Sequence, residues 1–211
     1  MKRRLILASA SPRRHELLRQ IGVSFTVDAA DLDETRHPGE PILSYVSRLS
    51  LAKAREVLSR QQADVIVLGA DTAVALGEEL LSKPLNLKQA RRMLESLSNA
   101  MHWVHTGVTV MSAYQSQTKI VSTEVRFCAL STSAIDAYLQ AGEWQGKAGG
   151  YAIQGLAGRF VTHINGSYSA VVGLPLYETS EMLAQMDVDT SMTPPQAHSS
   201  ACAAVGEMDG R

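Results

Sequence analysis

The chain has 211 residues, a formal net charge of −1 and a pI near 6.6. That length suits one domain or two closely joined lobes. The charge excludes general polyanion binding, so a nucleic-acid polymer is not an expected partner and any nucleotide site must be built from local charges.

Leu5 to Ala8 is a short apolar run with the length of a buried strand. Ser11 is a suitable N-cap, and Pro12 fits the first position of a helix, where a missing N–H costs nothing. Leu17, Leu18 and Ile21 supply that helix's inward face, and Gly22 is placed to end it. Arg13 and Arg14 sit in the first turn, where the macrodipole favours anions. Free N–H groups, the hydroxyls of Ser9 and Ser11 and two guanidinium groups then converge on one point, which reads as a phosphate site. Two solvated arginines on an ordinary helix are the alternative.

Val23 to Val27 reads as a second strand. Asp28 to Gly39 is a polar loop with Asp31, Asp33 and Glu34, followed by Arg36 and His37. Its carboxylates are either solvated or hold a hard cation such as Mg²⁺. Pro41 to Arg60 reads as a helix with Ile42, Tyr45, Val46 and Leu49 at helical spacing. Lys53 falls on the same face, where its ammonium needs an anion or a route to water.

Val65 to Leu68 is a buried-strand run ending at Gly69-Ala70-Asp71-Thr72, which places Asp71 just beyond a strand's carboxyl end. Ala73 to Leu76, Gly77-Glu78-Glu79 and Leu80-Leu81 suggest a hairpin delivering Lys83, whose backbone is restricted by Pro84. Asn86 caps a helix through Leu97. His102 to Met111 and Lys119 to Phe127 read as strands, and Ser131 caps a helix that ends at Gly142.

Gly146-Lys147-Ala148-Gly149-Gly150 resembles a phosphate loop but has Ala141 and Ala148 where the Walker pattern requires Gly and Ser or Thr. A P-loop NTPase is excluded, although Lys147 and backbone N–H groups can still meet an anion. Phe160 to Ile164, Asn165-Gly166 and Ser167 to Val172 predict a hairpin. Leu174-Pro175-Leu176 opens a last helix through about Met186. From Asp187 to Arg211 the periodicity stops, and a flexible tail is expected. Cys128 and Cys202 show no disulfide or metal spacing. Met1-Lys-Arg-Arg4 leads into an apolar run too short for a signal peptide, and no stretch suits a membrane span, so a cytoplasmic protein is expected.

Taken together, residues 4–186 resemble the Maf family of nucleoside triphosphate pyrophosphatases. The matching segments are Leu7 to Arg14, Asp33 to Arg36, Ala52-Lys53-Ala54, Gly69 to Thr72, Ser82-Lys83-Pro84, Thr106-Gly107-Val108, Lys147 to Gly155, Gly166 to Tyr168 and Val171 to Pro175. The resemblance implies an elongated α/β protein, a mixed sheet with flanking helices and two lobes around a central nucleotide cleft, as in ITPase-like folds. It implies a homodimer, a divalent metal (Mg²⁺, Mn²⁺ or Co²⁺), and hydrolysis between the α and β phosphates. By matching positions, Asp71 is the base that activates water, and Glu34 with Asp71 meets the metal. Arg13, Lys53 and Lys83 surround the triphosphate, with Ser9 and Arg14 as helpers. Arg13, Thr72 and Gln154 match the positions tied to substrate choice.

The subgroup similar to this chain carries Gln at the last of these positions and acts on dTTP and UTP. Another subgroup has Glu nearby and prefers 7-methyl-GTP. An amide can accept from N3–H and donate to O4 of a neutral pyrimidine, whereas a carboxylate suits a cationic base. The competing expectations are a pyrophosphatase for modified or other nucleotides (5-methyl-UTP, pseudo-UTP, CTP) and a nucleotide-binding regulator of division with little catalysis.

Overall fold

The computed structural model describes residues 3–62 and 64–190. Among the described residues seven strands form one mixed sheet: β1 (Arg4–Leu7), β2 (Phe25–Val27), β3 (Val65–Leu76), β4 (Glu79–Leu81), β5 (Met101–Met111), β6 (Ser116–Phe127) and β7 (Val161–Asn165). The order across the sheet is β2-β1-β3-β5-β6-β7, with β4 also paired to β3. β1 is parallel to β2 and β3, and every other pairing is antiparallel. The helices are α1 (Pro12–Gln20), α2 (Ile42–Ser59), α3 (Leu87–Leu97), α4 (Thr132–Gln140), the short α5 (Tyr168–Val172) and α6 (Leu176–Ala184). This is the expected α/β class. None of the described helices is long and apolar enough to cross a membrane.

β3 is the axis of the molecule. It runs unbroken for 12 residues, so Asp71 lies within the strand and not beyond its end. The sequence misplaces Asp71 because β3 changes partners along one edge. There it pairs with β1 as far as Leu68, and with β4 only from Val74. Among the described residues Gly69 to Ala73 have no strand neighbour on that side, so Asp71 borders the opening just past the carboxyl end of β1. The rule that ligands sit where strand order changes holds for the sheet, although not for the strand that carries the acid.

Alternation along β3 sends successive residues to opposite faces. Ile66, Leu68 and Ala70 join one core with Leu5, Leu7, Leu17 and Leu18, and with Met182 and Leu183 of α6. On the same face Val74 belongs to a second core with Leu94 and Leu97 of α3, Phe127, Tyr138 and Phe160. Thr72 lies between the two. A cleft opens where these cores part. The opposite face of the β1–β3 sheet carries Ile6, Val65 and Val67 against Ala54 and Val57 of α2.

Two glycines set how closely α2 approaches. A Cβ at Gly69 would lie 2.3 Å from the Ser50 carbonyl oxygen, and one at Gly107 would lie 2.5 Å from that of Val46. Any side chain there would push α2 off the sheet. Their absence lets the buried row Val46, Leu49, Ser50, Lys53, Ala54 and Val57 lie flat on β3 and β5.

The predicted hairpin over Asn165-Gly166 is not formed. β7 pairs with β6 instead, and Ser167 opens α5. Ser167 N donates to Thr123 Oγ1 at 3.0 Å, and Ser167 Oγ accepts from Ala170 N at 3.2 Å. That capping bond gives a local alternative to strand pairing. At the other end, the core continues past the expected boundary at Met186. Val188 is buried and its N–H donates to the Leu183 carbonyl at 3.1 Å. The expectation of a flexible tail lies, for residues 191–211, outside the described residues.

Candidate functional site

The cleft between the two cores has a volume of about 570 Å³. All ten residues singled out from the sequence line it: Ser9, Arg13, Arg14, Glu34, Lys53, Asp71, Thr72, Lys83, Lys147 and Gln154. They come from six separate segments of the chain. Among them are five cations and two carboxylates, so the cleft is locally positive in a chain of net charge −1. Such a site attracts polyanions of small size.

On the α2 face, Lys53 is the hub. Its Nζ lies 2.6 Å from Asp71 Oδ1 and 2.6 Å from Glu34 Oε1. Glu34 Oε2 meets Lys83 Nζ at 3.1 Å. Burial pushes the Glu34 carboxyl up, but the two lysines outweigh it and hold the group below the usual carboxylate range. Lys53 and Asp71 are both buried, and Lys83 is exposed at the cleft mouth.

Glu34 arrives on a loop that α2 holds in place. Arg48 grips Glu40 through Nε at 2.6 Å and Nη2 at 2.7 Å, and Nη2 also donates to the Thr35 carbonyl at 3.1 Å. Tyr45 OH donates to the Glu34 carbonyl at 3.0 Å. Burial, with Asp71 and Glu34 nearby, raises the Tyr45 phenol to about 12, so it remains a donor. Sequence reasoning missed both residues, because nothing in their spacing links α2 to a loop that precedes it. The acidic cluster does not form a cation cage. Asp33 Oδ1 instead accepts from Thr35 N at 2.8 Å, a local turn bond. Among the described residues no group of three or more His, Cys, Asp or Glu could hold a metal ion.

On the opposite face, Arg14 is the hub. It is buried, and its Nε donates to the Gly173 carbonyl at 2.8 Å. Nη1 donates to Ser9 Oγ at 3.1 Å and Nη2 to Thr72 Oγ1 at 3.2 Å. Burial lowers its pKa, as it does for half-buried Arg13, but both stay cationic because guanidinium starts above 12. Arg14 therefore ties α1, β3 and the α5–α6 connection together. Ser11 occupies the N-cap position of α1 without a side-chain capping bond. Pro12 has no N–H, and the Arg14 and His15 N–H groups donate to the Ser11 carbonyl at 3.1 and 3.2 Å. The expected set of free N–H groups therefore reduces to that of Arg13.

The segment between α4 and β7 contributes Lys147 and Gln154. Burial, and then the neighbouring Arg13 charge, lower the Lys147 pKa. Two cations held near one another across the cleft favour an anion between them. The segment is clamped by side chains. Tyr151 OH lies 2.8 Å from His102 Nε2, Tyr138 OH accepts from Ala152 N at 3.0 Å, and Glu143 Oε2 accepts from Leu156 N at 2.8 Å. Gln154 is exposed and lines the cleft, as do the apolar Val74, Val104 and Ile153.

A family model described as Maf-like protein matches residues 4–186. A dTTP/UTP pyrophosphatase of Pseudoalteromonas atlantica is 54% identical over 87% of this chain and 97% of its own length. One from Myxococcus xanthus is 51% identical over 85% of this chain and 90% of its own, and one from Vibrio vulnificus is 49% identical over 85% and 97%. In fold, the chain is similar to a HAM1 protein from Coxiella burnetii, with a TM-score of 0.50, 17% identity, and coverage of 87% and 99% of the two chains.

Proposed function

The chain belongs to the Maf family, and we propose that it is a pyrophosphatase that hydrolyses dTTP and UTP to the nucleoside monophosphate and pyrophosphate. The observation that carries the reading is the pairing of Asp71 and Glu34 through one ammonium, Lys53 Nζ, at 2.6 Å each, on the wall of a cationic cleft. The relatives named dTTP/UTP pyrophosphatase support the substrate.

The point between Asp71 and Glu34 already favours positive charge, because Lys53 is held there. Two carboxylates together with phosphate oxygens suit a divalent cation such as Mg²⁺, Mn²⁺ or Co²⁺, which is commonly bound by one or two protein carboxylates and its substrate. Glu34 and Asp71 would hold it. When bound, such an ion neutralises phosphate charge and makes water more acidic.

The chain's own groups do the rest. Lys53, Lys83, Arg13 and Lys147 neutralise the triphosphate, and the Ser9 hydroxyl with the Arg13 N–H donates to its oxygens. Asp71 accepts a proton from water. The water oxygen bonds to the α-phosphorus, and the bond to the bridging α–β oxygen breaks, releasing pyrophosphate. Positioning and charge neutralisation account for most of such catalysis. Gln154 meets the pyrimidine edge, accepting from N3–H and donating to O4. The same reading includes a homodimer, which sedimentation would detect as twice the chain mass.

The test is a nucleotide panel with each of the three metals. Phosphate should appear from dTTP and UTP only when inorganic pyrophosphatase is added. Phosphate released directly, or no release from either nucleotide, would refute the reading.

A further inference from the structure

Ser9 and Thr72 both line the cleft, their hydroxyls held by different terminal nitrogens of Arg14, and their hydrogen bonds leave each with one capacity only. Thr106 Oγ1 donates its single proton to the Ala170 carbonyl at 2.7 Å. In its 3.0 Å contact with Thr72 Oγ1 it can therefore only accept, so Thr72 donates its own proton to Thr106. Arg14 Nη2 occupies one lone pair of Thr72 at 3.2 Å. What remains of the Thr72 hydroxyl is one lone pair, on a residue that is partly exposed in the cleft. Ser9 is the reverse case. Arg14 Nη1 at 3.1 Å and Ser11 N at 3.3 Å both donate to Ser9 Oγ, which leaves its proton.

From this wiring we infer that Thr106 is a positioning residue that fixes Thr72 as a hydrogen-bond acceptor, so that Thr72 binds an N–H or O–H donor of the nucleoside and not a phosphate. Phosphate oxygens of a bound triphosphate offer no proton at neutral pH. They suit Ser9, the locked donor, and are refused by Thr72. The two hydroxyls thus give the cleft a direction, with phosphates toward Ser9 and the nucleoside toward Thr72. Two nucleoside donors are shared by dTTP and UTP, the 3′-hydroxyl of the sugar and N3–H of the base, whose one proton, if Thr72 takes it, leaves Gln154 with O4 alone. CTP keeps the 3′-hydroxyl and lacks N3–H.

This inference rests on reading the cleft as a nucleotide site, but its test needs no turnover. Binding of the α,β-methylene analogue of UTP, which cannot be cleaved there, is measured by calorimetry with the full chain. The same is done with the α,β-methylene analogues of CTP and 3′-deoxy-UTP. The proteins compared are wild type, Thr72→Val, Thr106→Val and Thr106→Ser. Thr106→Val releases the Thr72 proton from its acceptor, so Thr72 can turn and donate. If N3–H is the donor, the preference for the UTP analogue over the CTP analogue narrows by about tenfold in Thr106→Val and holds in Thr106→Ser, which keeps the hydroxyl chain. If the 3′-hydroxyl is the donor, removing it weakens binding to wild type by a few-fold and has no effect on binding to Thr72→Val. Either coupling upholds the acceptor assignment and identifies its partner. If neither the base preference nor the 3′-hydroxyl effect changes in Thr72→Val and Thr106→Val, the assignment is overturned. A protein that shows a coupling yet releases no pyrophosphate from UTP itself overturns the proposed activity alone.

Discussion

Lys53 and Asp71 stand 18 residues apart in the chain, one on α2 and one in the middle of β3, and their side chains meet at 2.6 Å inside the cleft wall. The contact exists because Gly69 and Gly107 let α2 lie against the sheet. It gives the proposed base a permanent counter-charge before any substrate arrives. Asp71→Asn keeps the size and the hydrogen bond but loses basicity. Turnover should fall by about 10²–10⁴-fold while nucleotide still binds. Single-turnover kinetics beside calorimetry separate the two, and near-normal turnover in a folded, metal-loaded Asp71→Asn protein would remove Asp71 from the role.

The two lysines around Glu34 should behave differently. Lys83 is exposed, and its pairing with Glu34 is screened by water, so Lys83→Met should leave the melting temperature nearly unchanged. Lys53 has only 10% of its side chain exposed. Lys53→Met leaves two facing carboxylates without their shared cation, and should lower the melting temperature as well as triphosphate affinity. The affinity loss should be similar for every base in both variants. Unchanged nucleotide binding in Lys83→Met would contradict its phosphate assignment.

His102 makes folding stability sensitive to acid. It is fully buried between Phe127 and Tyr151, and burial lowers its pKa to about 4. The unfolded chain binds a proton near pH 6.5, whereas the folded chain resists it until about pH 4. The unfolded state therefore binds more protons in that window, and stability falls as the pH falls through it. The contribution lost is on the order of 3 kcal/mol at full development. Between pH 7 and pH 5, wild type should lose more stability than His102→Gln, whose amide can still reach Tyr151 OH. Equal losses in urea titrations at both pH values would exclude His102 as the source.

Much of the site was legible because its signals are local. An apolar run, an N-cap serine and a proline specify β1, the loop and α1, and Arg13 and Arg14, cations against the macrodipole in its first turn, do line the cleft. Lys53 was legible because helical spacing puts it on the row of Val46 and Leu49, which is buried. The misreadings arise from partners distant in sequence. The sequence pattern puts Asp71 after a strand because the change from β1 to β4 along one edge of β3 leaves no mark in β3 itself. Ser167 became a helix cap because Thr123, 44 residues earlier, holds its backbone. Arg48 and Thr106 act through a loop carbonyl and a second hydroxyl, contacts that no spacing announces.

The chain end gives a sharper prediction than composition allowed. A chain ending at Met186 loses Val188, which is 7% exposed, together with its bond to Leu183. Losing one buried valine costs about 1.5 kcal/mol, or several degrees of melting temperature for a protein of this size. A chain ending at Thr190 keeps the core contacts, and all ten candidate residues lie before it. It should therefore melt and turn over like the full chain. A large loss of either in the longer truncation would show that residues 191–211 contribute to the fold or the site.

Gln154 carries the most specific prediction about substrate choice. It is exposed at the cleft wall, while the backbone on either side is clamped by the Tyr138–Ala152 and Glu143–Leu156 bonds. With the backbone already fixed, only the rotamer freedom of the side chain is lost when Gln154 reads a base edge. Uracil and thymine present a donor at N3 and an acceptor at O4, and one amide satisfies both. Cytosine reverses them, and a flipped amide compensates in part. The 5-methyl group separates dTTP from UTP by about 1 kcal/mol at most. Gln154→Glu cannot donate to O4, so kcat/KM for dTTP and UTP should fall by about tenfold or more. The cationic base of 7-methyl-GTP should gain relative to both. The measurement is kcat/KM for dTTP, UTP, CTP, GTP and 7-methyl-GTP with each protein. A wild type that handles GTP as well as UTP, or a ranking left untouched by Gln154→Glu, would assign base recognition to other residues of the cleft.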